Sequence, residues 1–184
     1  MIYGPKEFIL KDGRKVILKS PEISDAKKLL DDILIVSGQS NNLLSSPEDF
    51  LSYEDPLKRE QDFIKGMLEG SNYLICVYYE GKIIGDCDIT FGRHVKDIHR
   101  ARIGIGIQEE FCSVGLGSIM MDELINLAKE KGMEQVELEV LANNIRAKGL
   151  YTKKGFVKYG DIPHQLKLKD GTYLDGESMV LFLK

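Results

Sequence analysis

The chain has 184 residues and a formal net charge of −4, since 25 lysine and arginine residues stand against 29 aspartate and glutamate residues. Its length favours one domain, and its shares of apolar (43%) and charged (29%) residues are those of an ordinary soluble globular protein. The mild acidity argues against a general nucleic-acid binder, which needs a dense basic surface to displace counterions.

The three cysteines, Cys76, Cys87 and Cys112, show no CxxC spacing. This pattern argues against a disulfide framework and against a zinc site, and it favours buried reduced thiols. The N-terminus lacks the pattern of a signal peptide, and no apolar run approaches the roughly 18 residues that span a bilayer. These features predict a cytoplasmic protein that binds neither nucleic acid nor a membrane.

The predicted elements alternate between strands and helices along the chain. A hairpin is predicted at 8–18, a helix from Ser20 to Leu34, and another helix at 56–69. Further strands are predicted at 73–79, 82–91, 101–107, 135–141, 157–161 and 178–183, with helices at 115–131 and 144–154. The order predicts one mixed α/β sheet in which strands 101–107 and 135–141 run parallel, joined by a right-handed crossover.

Two glycines lie on the same face of the strand 101–107. Alternation places Ile103, Ile105 and Ile107 on one face and Gly104 and Gly106 on the other. Because glycine weakens a strand, this pair indicates the close approach of another backbone, a ligand or a tightly packed helix.

The next segment opens the long helix with a glycine-containing turn. It consists of Cys112, Ser113, Val114, Gly115, Leu116, Gly117 and Ser118. Unpaired backbone N–H groups and the positive end of the helix dipole bind phosphate there without a basic side chain. The third glycine of a dinucleotide fingerprint is missing, since Met120 stands in its place.

Residues 140–156 carry the most specific motif. It reads Asn-x-x-Ala-x-x-Leu-Tyr-x-x-x-Gly-Phe and consists of Asn144, Ala147, Leu150, Tyr151, Gly155 and Phe156. This motif resembles the second conserved block of the GNAT superfamily of N-acetyltransferases. Residues 112–117 resemble the first block, Gln/Arg-x-x-Gly-x-Gly/Ala, except that Cys112 replaces Gln/Arg. The blocks follow the family's order, and the likeness extends more loosely from Val16 to Leu183.

The resemblance implies the fold of that superfamily. This fold is a single mixed, mostly antiparallel sheet of about seven strands with a splayed central parallel pair, flanked by about four helices. Residues 1–184 would then form a single N-acetyltransferase domain, and a homodimer is possible.

The resemblance also implies acetyl-CoA as cosubstrate, a primary amine as acceptor, direct acetyl transfer in a ternary complex and no metal. The pantetheine arm is expected to pair along Ile105, Gly106 and Ile107, where a backbone N–H group can form an oxyanion hole. The pyrophosphate is expected at Cys112–Ser118.

Three residues of the second block receive individual roles. Tyr151 is expected to contact acetyl-CoA and is the predicted general acid, because a phenol of pKa about 10 can protonate a thiolate of pKa about 8.5. Packing against Phe156 is the structural alternative for Tyr151. Asn144 is expected to cap its helix and to bond to the pantetheine arm, and Ala147 to leave room for that arm.

The general base stays open at the level of sequence. Two pairs of carboxylates are candidates: Asp86 and Asp88 on the strand before 101–107, and Glu137 and Glu139 on the strand after the long helix. For both pairs, the favoured explanation is that they lie on a solvent-exposed strand face. His99 titrates near neutrality, with an exposed loop histidine as its alternative. A water relay would need none of these groups.

Three alternative functions rest on the turn. Cys112 could act as a nucleophile, because a helix N-terminus lowers the pKa of a thiol, but no histidine is paired with it in sequence. The loss of Gln/Arg at Cys112 also allows a non-catalytic acyl-CoA sensor. Nucleotide binding through Gly115 is the third alternative.

In this fold, the polar segment 34–58 is expected to border the acceptor.

Overall fold

The computed structural model describes residues 1–183, which form eight strands and five α-helices. The strands are β1 (Lys6–Ile9), β2 (Lys15–Lys19), β3 (Tyr73–Tyr79), β4 (Lys82–Phe91), β5 (Arg100–Ile107), β6 (Gln135–Leu141), β7 (Val157–Lys167) and β8 (Tyr173–Phe182). The helices are α1 (Ala26–Gln39), α2 (Pro47–Leu51), α3 (Pro56–Glu69), α4 (Leu116–Glu130) and α5 (Ile145–Lys153). Short 3-10 turns at Ile23–Asp25 and Glu109–Phe111 precede α1 and α4.

The strands form one mixed sheet in the order β1-β2-β3-β4-β5-β6-β8-β7. Its parallel pair is β5 and β6, with the register Arg100↔Gln135, Ala101↔Val136 and Arg102↔Glu137. This register stops at Arg102, although β5 continues to Ile107. The architecture confirms the predicted fold class and the N-terminal hairpin, which is formed by β1 and β2, and the sheet has eight strands where the resemblance implied about seven.

The described chain falls into two compact units. The first contains Met1–Thr90 and Gly104–Met120, and the second contains Phe91–Ile103 and the residues after Met120. In the first unit, α1 and α3 pack on β3 and β4, since the apolar stripe of each helix faces the sheet. The buried side chains of this core are Ala26, Leu29, Ile64, Leu74, Cys76, Tyr78 and Ile83.

The second unit has its own core, built from α4, the strands β6 and β8, and Phe156. Its fully or nearly fully buried side chains include Met121, Leu124, Ala128, Val136, Phe156, Met179 and Val180. Gly132 ends α4 in the left-handed conformation (φ 71°), and the N–H group of Met133 donates to the carbonyl oxygen of Ala128. Glycine is suited to this position because it adopts a positive φ without a steric penalty.

The first helix begins later than the sequence pattern predicts. The N–H group of Glu22 bonds to the Asp25 carboxylate, which caps the 3-10 turn, and α1 starts only at Ala26. Ser20 does not cap a helix: it accepts from the N–H group of Tyr3 and donates to the carbonyl oxygen of Leu74. The predicted start at Ser20 is therefore wrong, because its hydroxyl joins the N-terminal segment to β3.

The last two strands are longer than predicted. β7 runs to Lys167 instead of Asp161, and β8 begins at Tyr173 instead of Ser178. Their register shifts between Ile162 and Leu166, and His164 in that interval has φ 54°. Such a bulge accommodates Pro163 and interrupts the alternation from which the strand ends were predicted.

The side chains of Cys76 and Cys87 are fully buried, as the sequence indicates. Among residues 1–183, no helix is both long enough and apolar enough to cross a lipid bilayer.

Candidate active site

The glycine pair of β5 lies against carboxylates of β4. A Cβ atom on Gly104 would lie 2.7 Å from Oδ1 of Asp88, and one on Gly106 would lie 3.4 Å from Oδ1 of Asp86. The same atom on Gly106 would lie 3.7 Å from a methyl group of Val36 on α1. The two glycines therefore face two acidic side chains and a helix. The sequence analysis treated the glycine pair and the acidic pair separately and did not predict that they are in contact.

The turn before α4 contains two residues with positive φ. Ser113 has φ 64° and Gly115 has φ 95°, and the carbonyl oxygen of Val114 accepts from the N–H group of Lys11 at 3.0 Å. The N–H group of Ile119 donates to the carbonyl oxygen of Gly115. The N–H groups of the preceding residues 116–118 belong to the first turn of α4 and have no carbonyl partner inside the helix. This end of α4 can accept an anion.

Lys11 lies beside this turn and was not predicted as a site residue. A Cβ atom on Gly115 would lie 3.4 Å from Cγ, 3.6 Å from Cδ and 3.5 Å from Cε of Lys11. The aliphatic part of an exposed lysine therefore covers Gly115. Nothing in the local sequence signals this contact, because 104 positions separate the two residues in the chain.

Cys112 is partly exposed at the start of the turn. Its thiol donates to the carbonyl oxygen of Gln108, with a sulfur–oxygen distance of 3.7 Å. This bond holds the side chain toward the preceding segment.

The residues of the second block lie on α5 or directly before and after it, in the second unit. The side chain of Asn144 accepts from the N–H group of Ala147 at 3.2 Å, which confirms the predicted N-cap. Ala147 and Tyr151 are four residues apart and share one side of the helix. The Tyr151 ring contacts Phe156 with a centroid distance of 6.1 Å, and burial raises the pKa of the Tyr151 hydroxyl.

The candidates for the general base have different surroundings. Glu137 is 5% exposed and binds the Arg100 guanidinium through both carboxylate oxygens, at 2.7 and 2.6 Å. Glu139 is exposed and accepts from Gln165. His99 is partly exposed, and its backbone carbonyl accepts from the N–H groups of Glu134 and Gln135.

A solvated strand face is thus the wrong explanation for three of the four carboxylates. Glu137 is buried in an ion pair, whereas Asp86 and Asp88 are partly exposed and lie against β5. Only Glu139 fits the expectation. The periodicity of a strand shows which residues share a face, but it does not show what covers that face.

The carboxylates of β4 have abnormal pKa values. Burial raises the pKa of Asp88 to about 6. The pKa of Asp86 lies well above its usual range, because of burial first and then the charges of Asp32, Asp88 and Glu60.

Among residues 1–183, no group of three or more His, Cys, Asp or Glu side chains has the arrangement that holds a metal ion.

Comparison with known proteins gives the class of this protein. Residues 40–156 match the model of the acetyltransferase (GNAT) family, which is more than half of the chain. The chain therefore belongs to the GNAT acetyltransferase family, whose members are transferases that use acetyl-CoA. A comparison with curated proteins finds no match.

Solved structures share the fold at low sequence identity. A GNAT-family acetyltransferase from Streptococcus pneumoniae is 22% identical, with 91% of this chain and 99% of that chain covered and a TM-score of 0.82. A ribosomal-protein-alanine N-acetyltransferase from Brucella melitensis is 17% identical, with 90% and 99% covered and a TM-score of 0.76. A Salmonella typhimurium protein whose structure contains its cofactor acetyl-CoA is 14% identical, with 92% and 94% covered and a TM-score of 0.76.

Proposed function

We propose that the protein transfers an acetyl group from acetyl-CoA directly to a primary amine, in a small molecule or at an amino group of a protein or peptide. The observation that carries this proposal is the turn at Ser113–Gly115. Its two positive φ angles leave the first N–H groups of α4 available to a phosphate, at the position of the family's first conserved block.

Residues from both conserved blocks would hold acetyl-CoA. The turn Cys112–Ser118 would bind the pyrophosphate, with the Lys11 ammonium group as an additional contact. The backbone of Ile105, Gly106 and Ile107 would pair with the amides of the pantetheine arm. Asn144 and Ala147 are proposed to border the same arm, and the small Ala147 side chain leaves it room.

The reaction requires one bond to form and one to break at the thioester carbonyl. The neutral amine nitrogen forms the new C–N bond, the C–S bond breaks, and the amine loses a proton to water or a base. We assign Tyr151 as the acid that protonates the departing thiolate. The Tyr151 hydroxyl carries its proton at neutral pH and so has one to donate, whereas the burial that raises its pKa makes it a weaker acid. A backbone N–H group near Ile107 would stabilise the oxyanion.

The test is the release of free CoA thiol from acetyl-CoA in the presence of a panel of amines. Tyr151→Phe is expected to lower kcat by about a hundredfold while CoA affinity stays the same, because only the acid is removed. Tyr159→Phe, at an exposed tyrosine of β7, is the matched control and should retain full activity. An unchanged kcat in Tyr151→Phe would remove this tyrosine from the mechanism.

The location and assembly are also proposals. Cys76 and Cys87 are buried cysteines outside any disulfide, which supports a reducing compartment, and we propose the cytoplasm. A single domain over residues 1–184 predicts one cooperative unfolding transition by calorimetry. Sedimentation at several concentrations would test for a homodimer.

A further inference from the structure

Three carboxylates of the first unit form a cluster that the proposed mechanism does not use. Asp32 comes from α1, and Asp86 and Asp88 come from alternate positions of β4. We call this group the carboxylate cleft. Asp32 is 1% exposed, whereas Asp86 and Asp88 are partly exposed, so the three residues extend from the core to the surface.

The backbone of β5 borders the carboxylate cleft. A Cβ atom on Gly104 would come within 2.7 Å of Oδ1 of Asp88, whereas one on Gly106 would be at contact distance from Asp86 and Val36, 3.4 and 3.7 Å away. Val36 follows Asp32 by one helical turn, which places both on the same side of α1. The cleft therefore adjoins the strand along which we propose that acetyl-CoA binds.

Asp32 is the least satisfied member of the carboxylate cleft. Its Oδ1 atom accepts from Nε2 of Gln108 at 2.7 Å, but its Oδ2 atom is buried without a hydrogen-bond partner. A buried carboxylate oxygen without a donor is costly, and native proteins rarely leave one unsatisfied. The missing partner is a hydrogen-bond donor, and a cationic donor would be the most favourable.

The neighbouring charged groups do not supply that cation. On α3, the guanidinium group of Arg59 forms an ion pair with Glu60, and on β3 the nearby titratable group is the buried Cys76 thiol. Asp25 is already bound by Lys28 and by the Tyr78 hydroxyl. Within residues 1–183, none of the three cleft carboxylates forms an ion pair with a lysine, arginine or histidine.

We propose that the carboxylate cleft binds a second, non-reacting ammonium group of the acceptor, so that the preferred substrate is a small diamine or polyamine. This inference rests on the proposed function, because the acceptor amine is part of it. The reacting nitrogen must lose its proton before it attacks, so it does not keep the positive charge that the cleft needs. A second ammonium group on the same molecule keeps its charge throughout.

The pKa values of the cleft predict a further property of binding. Burial raises the pKa of Asp32 and of Asp88 to about 6, and the pKa of Asp86 also lies well above its usual range. Part of the cleft is thus protonated at pH 6. An ammonium ion favours the charged carboxylates, so its binding releases protons and strengthens as the pH rises from 6 to 8.

The experiment compares two ligands that differ by one ammonium group, 1,4-diaminobutane and butylamine. Calorimetric titration of the whole protein without acetyl-CoA, in buffers of different ionisation enthalpy, gives both the affinity and the protons released. We expect the diamine to bind at least tenfold more tightly than butylamine, with proton release. Asp32→Asn should remove this preference, and Asp88→Asn should reduce it.

Asp31→Asn is the matched control. Asp31 is the neighbouring residue on α1, exposed and paired with Lys27, so the substitution removes the same charge outside the cleft. It should retain the preference for the diamine. Equal affinities for the two ligands, or equal losses in Asp31→Asn and Asp32→Asn, would overturn the proposal.

Two further measurements separate this inference from the proposed function. CoA affinity and thiol release with butylamine test acetyl transfer alone. Turnover of butylamine without any preference for the diamine would overturn the carboxylate cleft and leave the acetyltransferase activity intact. Diamine binding that depends on Asp32, in a protein that does not bind CoA, would uphold the cleft and contradict the acetyltransferase proposal.

Discussion

The turn that opens α4 and the carboxylate cleft both lie in the first unit, but they handle charge by opposite means. At the turn, backbone N–H groups and a helix dipole create a positive end, and Ser113 and Gly115 adopt the φ angles that this shape requires. In the cleft, side-chain carboxylates from α1 and β4 are held in surroundings that disfavour their charge. A backbone site keeps its polarity at any pH, whereas a carboxylate site changes its charge with pH and with its ligand.

The largest predicted effect is on the free energy of unfolding, which the buried Asp32 carboxylate is expected to lower. Because the pKa of Asp32 is raised from 3.8 to about 6, the folded protein holds this proton more tightly than the unfolded chain does. The free energy of unfolding should therefore fall as the pH rises from about 4 to 7. Asp32→Asn should be more stable than the natural protein by about 3 kcal/mol at pH 7.5 and equally stable at pH 4, as measured by urea unfolding.

Asp31→Asn again serves as the control for this prediction, because the exposed Asp31 adds little to the free energy of unfolding. If Asp32→Asn is less stable than the natural protein at pH 7.5, the charged Asp32 carboxylate stabilises the fold. The cleft would then not disfavour charge, and the contrast with the turn before α4 would be wrong.

The second prediction concerns the turn. Gly115→Ala places a side chain at φ 95° and against Lys11, so the turn must distort or the chain must bear a strain of about 1–3 kcal/mol. We expect CoA affinity to fall by about tenfold to a hundredfold in equilibrium binding. Gly66→Ala, inside α3 and with nothing within 4 Å of its Cβ position, should leave the affinity unchanged. The same affinity in both variants would mean that the turn does not hold the cofactor.

The third prediction uses Glu137 as a buried carboxylate that does have a partner. Burial raises the pKa of Glu137, but the hydrogen bonds from Arg100 and Gln135 and the positive charges of Arg100 and Arg102 together lower it below its usual value. This contribution is present above the unfolded pKa and is lost as the pH falls through the folded pKa, opposite to the behaviour of Asp32. Glu137→Gln should lower the free energy of unfolding by about 1–2 kcal/mol at pH 7, since Arg100 is partly exposed.

Glu139→Gln, two residues along the same strand and exposed, should change that free energy by less than about 0.5 kcal/mol. If both substitutions lower it equally, the Arg100–Glu137 pair has no particular role.

The smallest predicted effect concerns Lys11. Lys11→Met keeps the aliphatic contact with Gly115 but removes the ammonium group, so CoA affinity should fall about fivefold at low salt and less at high salt. Lys15→Met, at an exposed lysine of β2, is the control. A loss that does not depend on salt would show that Lys11 acts only through packing.

The sequence by itself predicted the order of the elements, the mixed sheet with its parallel pair, and the turn at Cys112–Ser118. These features depend on local periodicity, on glycine chemistry and on motifs within short segments. The cap at Asn144 was predicted for the same reason, since the capping bond joins residues three apart. The ends of β7 and β8 were not predicted, because a bulge interrupts the pattern that marks them.

Only the tertiary structure decided what lies beside these segments. It brings Lys11 against Gly115, places Asp88 and Asp86 beside the glycines of β5, and buries Asp32 without a donor for one oxygen. Each contact joins residues from different elements, and local sequence patterns hold no information about such pairs. The physical reason is that burial and charge depend on the sheet order and the helix packing, which bring distant parts of the chain together.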